Sequence, residues 1–214
     1  MISAIVLAAG AGRRMGKQKL LLPIGDLKLI EHVVHEVCAG GVDDCLVVTG
    51  SDAEKVAALK HPSNARLIYN EQHLDGGMLS SVRCGLHAAD PKTTGFLVCL
   101  GDQPDLSSQI IQDMLREVRD GQPEILVPMF QQKRGHPLYF KAHYAERVLS
   151  GYDDVGLKGL LREYADRVVE WPCASSSVLL DLDTPSDYQK WLARQKNRSD
   201  DPASDGSYRS IHRI

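Results

Sequence analysis

Short, continuous runs of β-branched and apolar residues occupy positions 4–8, 45–49, 96–100 and 125–127 of this chain. Runs without polar alternation suit strands buried on both faces, the environment of a parallel sheet. Between them, apolar residues recur at three and four spacing over 29–39, 53–60, 79–89, 107–119 and 142–149, with Asp52 and Ser107 placed as helix caps. Alternation of this kind predicts an α/β fold: a single domain built on a doubly wound, mostly parallel, Rossmann-like sheet. Later strand-like segments at 137–140, 168–171 and 178–182, with a short helix near 157–164, read as an edge extension of the same sheet. A helix from Pro185 to about Gln195 closes the domain at 1–196. The polar stretch 197–214 lacks core formers and is expected to be disordered.

The 214 residues are 43% hydrophobic and 25% charged, with a formal net charge of -3, which gives no basic patch and disfavours nucleic acid as a partner. No apolar stretch approaches the roughly 20 residues of a membrane span, and no cationic leader precedes the first strand. A cytoplasmic location without a membrane partner is the expectation. The five cysteines show no CxxC spacing, and Cys38, Cys45 and Cys99 sit in apolar runs, so they read as reduced thiols.

The first strand runs into Ala8-Ala9-Gly10-Ala11-Gly12-Arg13-Arg14-Met15-Gly16-Lys17-Gln18-Lys19, three glycines and four cations at its carboxyl end. An open α/β sheet binds ligands at that end. Glycines let backbone N–H groups approach phosphate oxygens, and Arg and Lys neutralise the charge, so an anion site is the natural reading; a solvated tight turn is the plainer one. No Gly-Lys-Ser/Thr follows, and G-x-G-x-x-x-G differs from the dinucleotide fingerprint, which argues against a Walker A loop and against a dehydrogenase.

The string Leu7-Ala-Ala-Gly-x-Gly-x-Arg14-Met-Gly-x-x-Lys19-Leu-Leu-Leu-Pro23 resembles the signature of the MobA-like nucleotidyltransferases that finish the molybdenum cofactor. The similarity continues in order through Gly77-Met-Leu-Ser-Ser81, Gly101-Asp-Gln-Pro104, Gly135-His-Pro137 and Asp181-Leu-Asp-Thr-Pro185. Gly12 departs from it, standing where many relatives carry Ser, and the tail has no counterpart. The resemblance implies a nucleotidyltransferase domain over 1–196 and a nucleotide site at Leu7, Ala8, Ala9, Gly10, Gly12, Arg14 and Lys19.

Asp102 follows an apolar strand and precedes Pro104, so its carboxylate points into the same crevice. There it could hold one octahedral Mg2+ that bridges triphosphate oxygens, the role the resemblance assigns it; a turn or capping aspartate is the alternative. Strand alternation at 178–182 would put Asp181 and Asp183 on one face. The resemblance favours Asp181 as the second metal ligand, while Asp183 fits a cap for the helix at Pro185. Attack of an acceptor phosphate on the α-phosphorus of an NTP brings two anions together, so positioning and charge neutralisation dominate and no protein nucleophile is needed. Lys19, Arg14 and Asp102 are the catalytic candidates, with Lys19 and Arg14 on the triphosphate and departing pyrophosphate.

Relatives that use GTP tend to read Leu-Ala-Gly-Gly at the first loop; Ala9 here, and Gln103 after Asp102, resemble the CTP-using branch. Asn70, Gly77, Ser80 and Ser81 form a second loop suited to base and ribose, or a helix N-cap. Arg134 and His136 are acceptor-binding candidates, although a His before Pro also suits a plain turn. By resemblance the substrates are CTP and molybdenum-bearing molybdopterin, with a molybdenum hydroxylase or its accessory protein as a possible partner. The alternatives are a related transferase acting on a sugar phosphate or other small phosphate, and a carrier that binds the cofactor without turnover.

Overall fold

The computed structural model describes residues 1–10 and 18–199. The elements are β1 (Ile2–Ala8), β2 (Pro23–Ile24), β3 (Leu27–Lys28), α1 (Leu29–Ala39), β4 (Asp44–Thr49), α2 (Ala53–Ala57), β5 (Ala65–Tyr69), α3 (Gly77–Ala88) and β6 (Gly95–Leu100). They continue with α4 (Ser108–Gly121), β7 (Ile125–Phe130), β8 (Lys133–Arg134), β9 (Leu138–Lys141), α5 (Ala145–Ser150), α6 (Lys158–Glu163), β10 (Val168–Pro172) and α7 (Pro185–Ser199). The main sheet runs β10-β7-β9-β6-β1-β4-β5, with β8 paired on β7. β1 is parallel to β4 and β6, β4 to β5, and β7 to β10. The expected doubly wound α/β sheet is therefore present.

Strand periodicity splits the core into two layers, because successive side chains point to opposite faces. Val6, Val47 and Leu97 face one side, packed with Val33 of α1, Met114 of α4 and Trp191 of α7. Ile5, Leu46 and Val98 face the other, packed with Val82 of α3, Val148 of α5 and Leu160 of α6. The sheet is thus apolar on both faces, which explains why the runs at β1, β4 and β6 show no polar alternation. Cys45 and Cys99 are buried, Cys38 is half-buried, and all five cysteines are free thiols.

The structure departs from the sequence pattern at several local points. The edge strand β5 escaped sequence reading because it is half-exposed and carries Arg66, which makes a two-pronged bond to Asp44 at 3.0 and 2.7 Å. β9 is interior, antiparallel to both β6 and β7, where an edge extension was expected. The chain reverses after β7 through Gln131 and Gln132, both at positive φ (47° and 63°), a two-residue hairpin without the usual Asn-Gly signal. No strand forms at 178–182; a 3-10 turn, Ser176–Leu179, leads instead into irregular backbone. Finally, α7 runs through Ser199, past the start of the tail expected at 197, and residues 200–214 lie outside the described residues.

Capping also differs from the sequence reading in part. Ser107 caps α4, its hydroxyl accepting from the Ile110 N–H at 3.4 Å, as its position predicts. Asp52 makes no such bond at α2, which shrinks to one short turn. Thr184 and Asp187, not Asp183, cap α7: the Asp187 carboxylate accepts from Thr184 N–H at 2.8 Å, and the Thr184 hydroxyl accepts from Asp187 N–H at 3.2 Å.

α1 and α4 approach closely at Gly40, where an added Cβ would collide with the branched Ile111 side chain. Ile111 is fully buried and has no room to turn aside. Gly40→Ala is expected to lower unfolding stability by about 1–3 kcal/mol, read as a lower urea midpoint at unchanged slope.

Candidate active site

β1 has β4 on one side and β6 on the other, and its connection to β4 runs one way while β6 is added on the opposite side. The carboxyl ends of β1 and β6 therefore border a topological switch point, where an open sheet leaves a crevice. Two glycines let the loop after β1 settle there. A Cβ at Gly50 would lie 2.6 Å from the Ala9 carbonyl oxygen, and one at Gly101 2.7 Å from that of Leu7. Gly101 also donates its N–H to the Leu7 carbonyl at 3.0 Å, closing the seam between β1 and β6. Sequence reading named neither glycine in this role; their position just past the flanking strands is the signal that could have found them.

Leu7, Ala8 and Ala9 are half-buried to buried at this seam, and Gly10 emerges at the surface. Gly12 and Arg14 lie outside the described residues. Lys19 opens the 3-10 turn Lys19–Leu21, with Leu20 anchored in the core behind it. That anchor holds the ammonium in the crevice, 2.6 Å from Asp102 Oδ2 and 2.9 Å from Asp183 Oδ1. Its side chain is 11% exposed. Burial alone would depress the Lys19 pKa; attraction and hydrogen bonding to Asp102 and Asp183 outweigh it and raise the value.

Asp102 follows β6 and brings one oxygen to Lys19, while Oδ1 is buried without a hydrogen-bond partner among the described residues. It is not a helix cap, since Ser107 does that work and Asp105 accepts from Trp191 Nε1 at 2.7 Å. Leu182 N–H donates to the Asp102 carbonyl at 3.1 Å, which brings the 181–183 segment alongside. Partial burial, then the negative charge of Asp102 and Asp183, holds the Asp181 carboxyl above the usual carboxylate range. Asp183, assigned from sequence to capping, is instead the second partner of Lys19.

Gln103 is 1% exposed; its Nε2 donates to the Val178 carbonyl at 3.2 Å and its Oε1 has no described partner. The same carbonyl accepts the His136 backbone N–H at 2.9 Å, and a Cβ on Gly135 would strike it. Val178 thus ties Gln103 to the Gly135-His136 turn. His136 Nδ1 lies 3.5 Å from the Val98 carbonyl, and burial lowers its pKa despite the opposing pull of that carbonyl and of Asp102. Since a carbonyl only accepts, the neutral ring carries its proton on Nδ1 and leaves Nε2 as an acceptor. Arg134 is exposed and paired with Glu170 at 2.7 Å.

The second loop is rearranged relative to expectation. Gly77, at φ 61°, begins α3, so Ser80 and Ser81 are helical and do not cap it. Both are buried, and Asn70 Nδ2 donates to their hydroxyls at 2.9 and 3.1 Å, pinning the end of β5 to α3. Only Gly77 of this group is exposed.

Residues 4–168 match the family model described as the MobA-like NTP transferase domain, more than three-quarters of the chain. The chain belongs to that family. It is 31% identical over 196 residues to a nicotine blue oxidoreductase of Paenarthrobacter nicotinovorans, covering 86% of this chain and 92% of the relative. It is 30% identical over 171 residues to a probable molybdenum cofactor guanylyltransferase of Natranaerobius thermophilus, covering 76% and 78%. A solved nucleotidyl transferase from Methanothermobacter superposes with a TM-score of 0.77 at 26% identity, covering 92% of this chain and 98% of that one.

For a MobA-like transferase, the donor set suits a hard cation. Among the described residues no three His, Cys, Asp or Glu side chains form a ready metal cluster. Mg2+ needs none, since it binds through one or two carboxylates and completes its octahedron with water and substrate phosphate. The unpartnered Asp102 Oδ1 is an oxygen of the required kind. No helix among the described residues is long and apolar enough to cross a membrane.

Two measurements probe this geometry. NMR of the imidazole should find His136 titrating below its ordinary value of 6.5, with the Nδ1–H tautomer above that midpoint; an upward-shifted midpoint contradicts the burial argument. Gly135→Ala should displace Val178, and with it Gln103 and His136, cutting turnover more than tenfold while moving the melting temperature by only a few degrees.

Proposed function

We propose that this chain transfers CMP from CTP to the terminal phosphate of molybdenum-bearing molybdopterin, releasing pyrophosphate, with Mg2+ as the metal. The observation that carries the transferase chemistry is the junction of Lys19, Asp102 and the 181–183 carboxylates at the switch point, with one buried Asp102 oxygen lacking a partner. Asp102 and Asp181 would hold the metal, and the metal when bound would supply positive charge shared between the reacting phosphates. Asp183 stands close enough to share that role through its bond with Lys19.

The residues themselves do three things. Lys19, already held between two carboxylates, offers its ammonium to the β- and γ-phosphates, where negative charge accumulates as pyrophosphate departs. Backbone around Ala9 and Gly10 lines the phosphates, and Arg14 adds a second cation from the same loop. His136, neutral with Nε2 free to accept, orients the acceptor beside Asp102. Positioning of two anions for in-line attack supplies most of the acceleration.

Cytidine is favoured by the resemblance of Ala9 and Gln103 to the CTP-using branch. Molybdopterin as acceptor is supported by the family and by the name of the guanylyltransferase relative. A second reading, an oxidoreductase, is favoured by the name of the Paenarthrobacter relative, which this chain matches over most of both lengths. The Lys19-Asp102 constellation, which redox chemistry has no need of, weighs for transfer.

Pyrophosphate release from purified protein with Mg2+, compared across CTP, GTP, UTP and ATP with and without molybdenum cofactor, should require CTP and cofactor together. Release with GTP instead overturns the base assignment, and release with a sugar phosphate overturns the acceptor. Nicotinamide-dependent reduction of a dye without any pyrophosphate release would establish the redox reading. Lys19→Ala should lower kcat by about 10²–10³-fold with the circular dichroism spectrum unchanged; near wild-type kcat removes Lys19 from the mechanism.

A further inference from the structure

At the end of the sheet opposite the crevice, the last turn of α1 sets one thiol against another at the start of β4. Cys38 stands four residues after the buried Val34, so it continues the apolar stripe that α1 lays on the sheet, and it packs on the same core layer as Cys45. Cys45 has Ala4 of β1 and Ala65 of β5 as its register neighbours. Two methyl side chains beside it leave room that Cys38 fills from the helix side, and the Cys45 thiol donates to the Cys38 sulfur. Backbone bonds hold both positions. Gly41 N–H donates to the Cys38 carbonyl at 3.1 Å and Cys45 N–H to the Asn64 carbonyl at 3.0 Å. The turn between them is tied to β1, since Asp43 N–H donates to the Ile2 carbonyl at 3.0 Å and Ile2 N–H to the Asp43 carboxylate at 2.6 Å.

The two thiols are unequal. Cys38 is half-buried and Cys45 fully buried. The bond from Cys45 lowers the Cys38 pKa against burial and the charge of Asp44, which Arg66 pairs at 2.7 Å; the same bond and burial push the Cys45 thiol well up. A thiolate is the nucleophile, so Cys38 reacts first and Cys45 waits as its partner. Cys99 shares the same face but lies on β6, with β1 between it and β4. Two interstrand spacings put Cys99 about 10 Å from Cys45, beyond the span of a disulfide. We infer that Cys38 and Cys45 are a redox-active pair that a hydroperoxide converts to an intrachain disulfide, fastening the end of α1 to β4. In the first step the Cys38 thiolate attacks one peroxide oxygen: an S–O bond forms, the O–O bond breaks, and the other oxygen leaves with a proton as water or an alcohol. Cys45 sulfur then attacks the Cys38 sulfenic acid: the S–S bond forms, the S–O bond breaks, and hydroxide leaves as water with the Cys45 proton. The thiols together give up two electrons and the peroxide takes them. The helix so fastened starts against the turn that carries Lys19.

The test treats the reduced, folded full chain with hydrogen peroxide, alkylates the remaining thiols and weighs the protein. The expected product has lost two hydrogens and two thiols per chain, and dithiothreitol restores both. After unfolding, cleavage at Asp43 and Asp44 parts the two cysteines, so a fragment pair still joined without reductant places the bond between Cys38 and Cys45. Cys84 on α3 and Cys173 past β10 should remain alkylated. Addition of two or three oxygens at Cys38 with Cys45 still alkylated overturns the inference, as does a disulfide that leaves either residue out. In Cys45→Ala, Cys38 should stop at the sulfenic acid and be trapped by dimedone, with no two-hydrogen loss. Should that variant not fold, Cys38→Ala decides: the two-hydrogen loss must vanish while buried Cys45 stays a thiol, and a loss that persists overturns the pair.

Discussion

One ammonium shared by two carboxylates organises this molecule's functional end. Lys19, Asp102 and Asp183 come from three separate segments of the chain; Lys19, 11% exposed, sits where burial makes an unpaired charge costly, while Asp183 reaches it from a half-exposed position. Like charge between Asp102, Asp181 and Asp183 is tolerable only because Lys19 lies among them, and even so the Asp181 carboxyl is pushed up. The crevice therefore holds opposite charges side by side.

The sheet places that cluster. Doubly wound topology puts the ends of β1 and β6 side by side at the switch point, and Gly50 and Gly101 remove the side chains that would keep the first loop away. Inserting β9 between β6 and β7 then brings the Gly135-His136 turn to the same end of the sheet. Without that antiparallel insertion, His136 would have no route to the crevice. The Val178 carbonyl completes the arrangement by receiving both Gln103 and the His136 backbone, so Gln103 and the Gly135-His136 turn are held to one acceptor.

Between the end of β5 and α3, Asn70 Nδ2 donates to the Ser80 and Ser81 hydroxyls and fixes the two elements to each other. Asp102 Oδ1 and Gln103 Oε1, both just past β6, are buried without a partner among the described residues.

The sequence by itself determined the sheet class and the central strands, and it directed Lys19 and Asp102 to one crevice, where the structure pairs them. Strands buried on both faces leave unbroken apolar runs, and Asp102 lies just past the end of one. The sequence also carried the family, through five motifs in order. It could not reveal that Asp183 pairs with Lys19 while Thr184 takes over the cap, since two acidic residues two apart look equally suited to either task. Nor could it show β5, whose half-exposed edge lacks the core signal, or the interior place of β9, which depends on a Gln-Gln hairpin with no turn signature. Only the tertiary structure decided these, because they are set by long-range charge pairing and strand order, and neither leaves a local pattern in the chain.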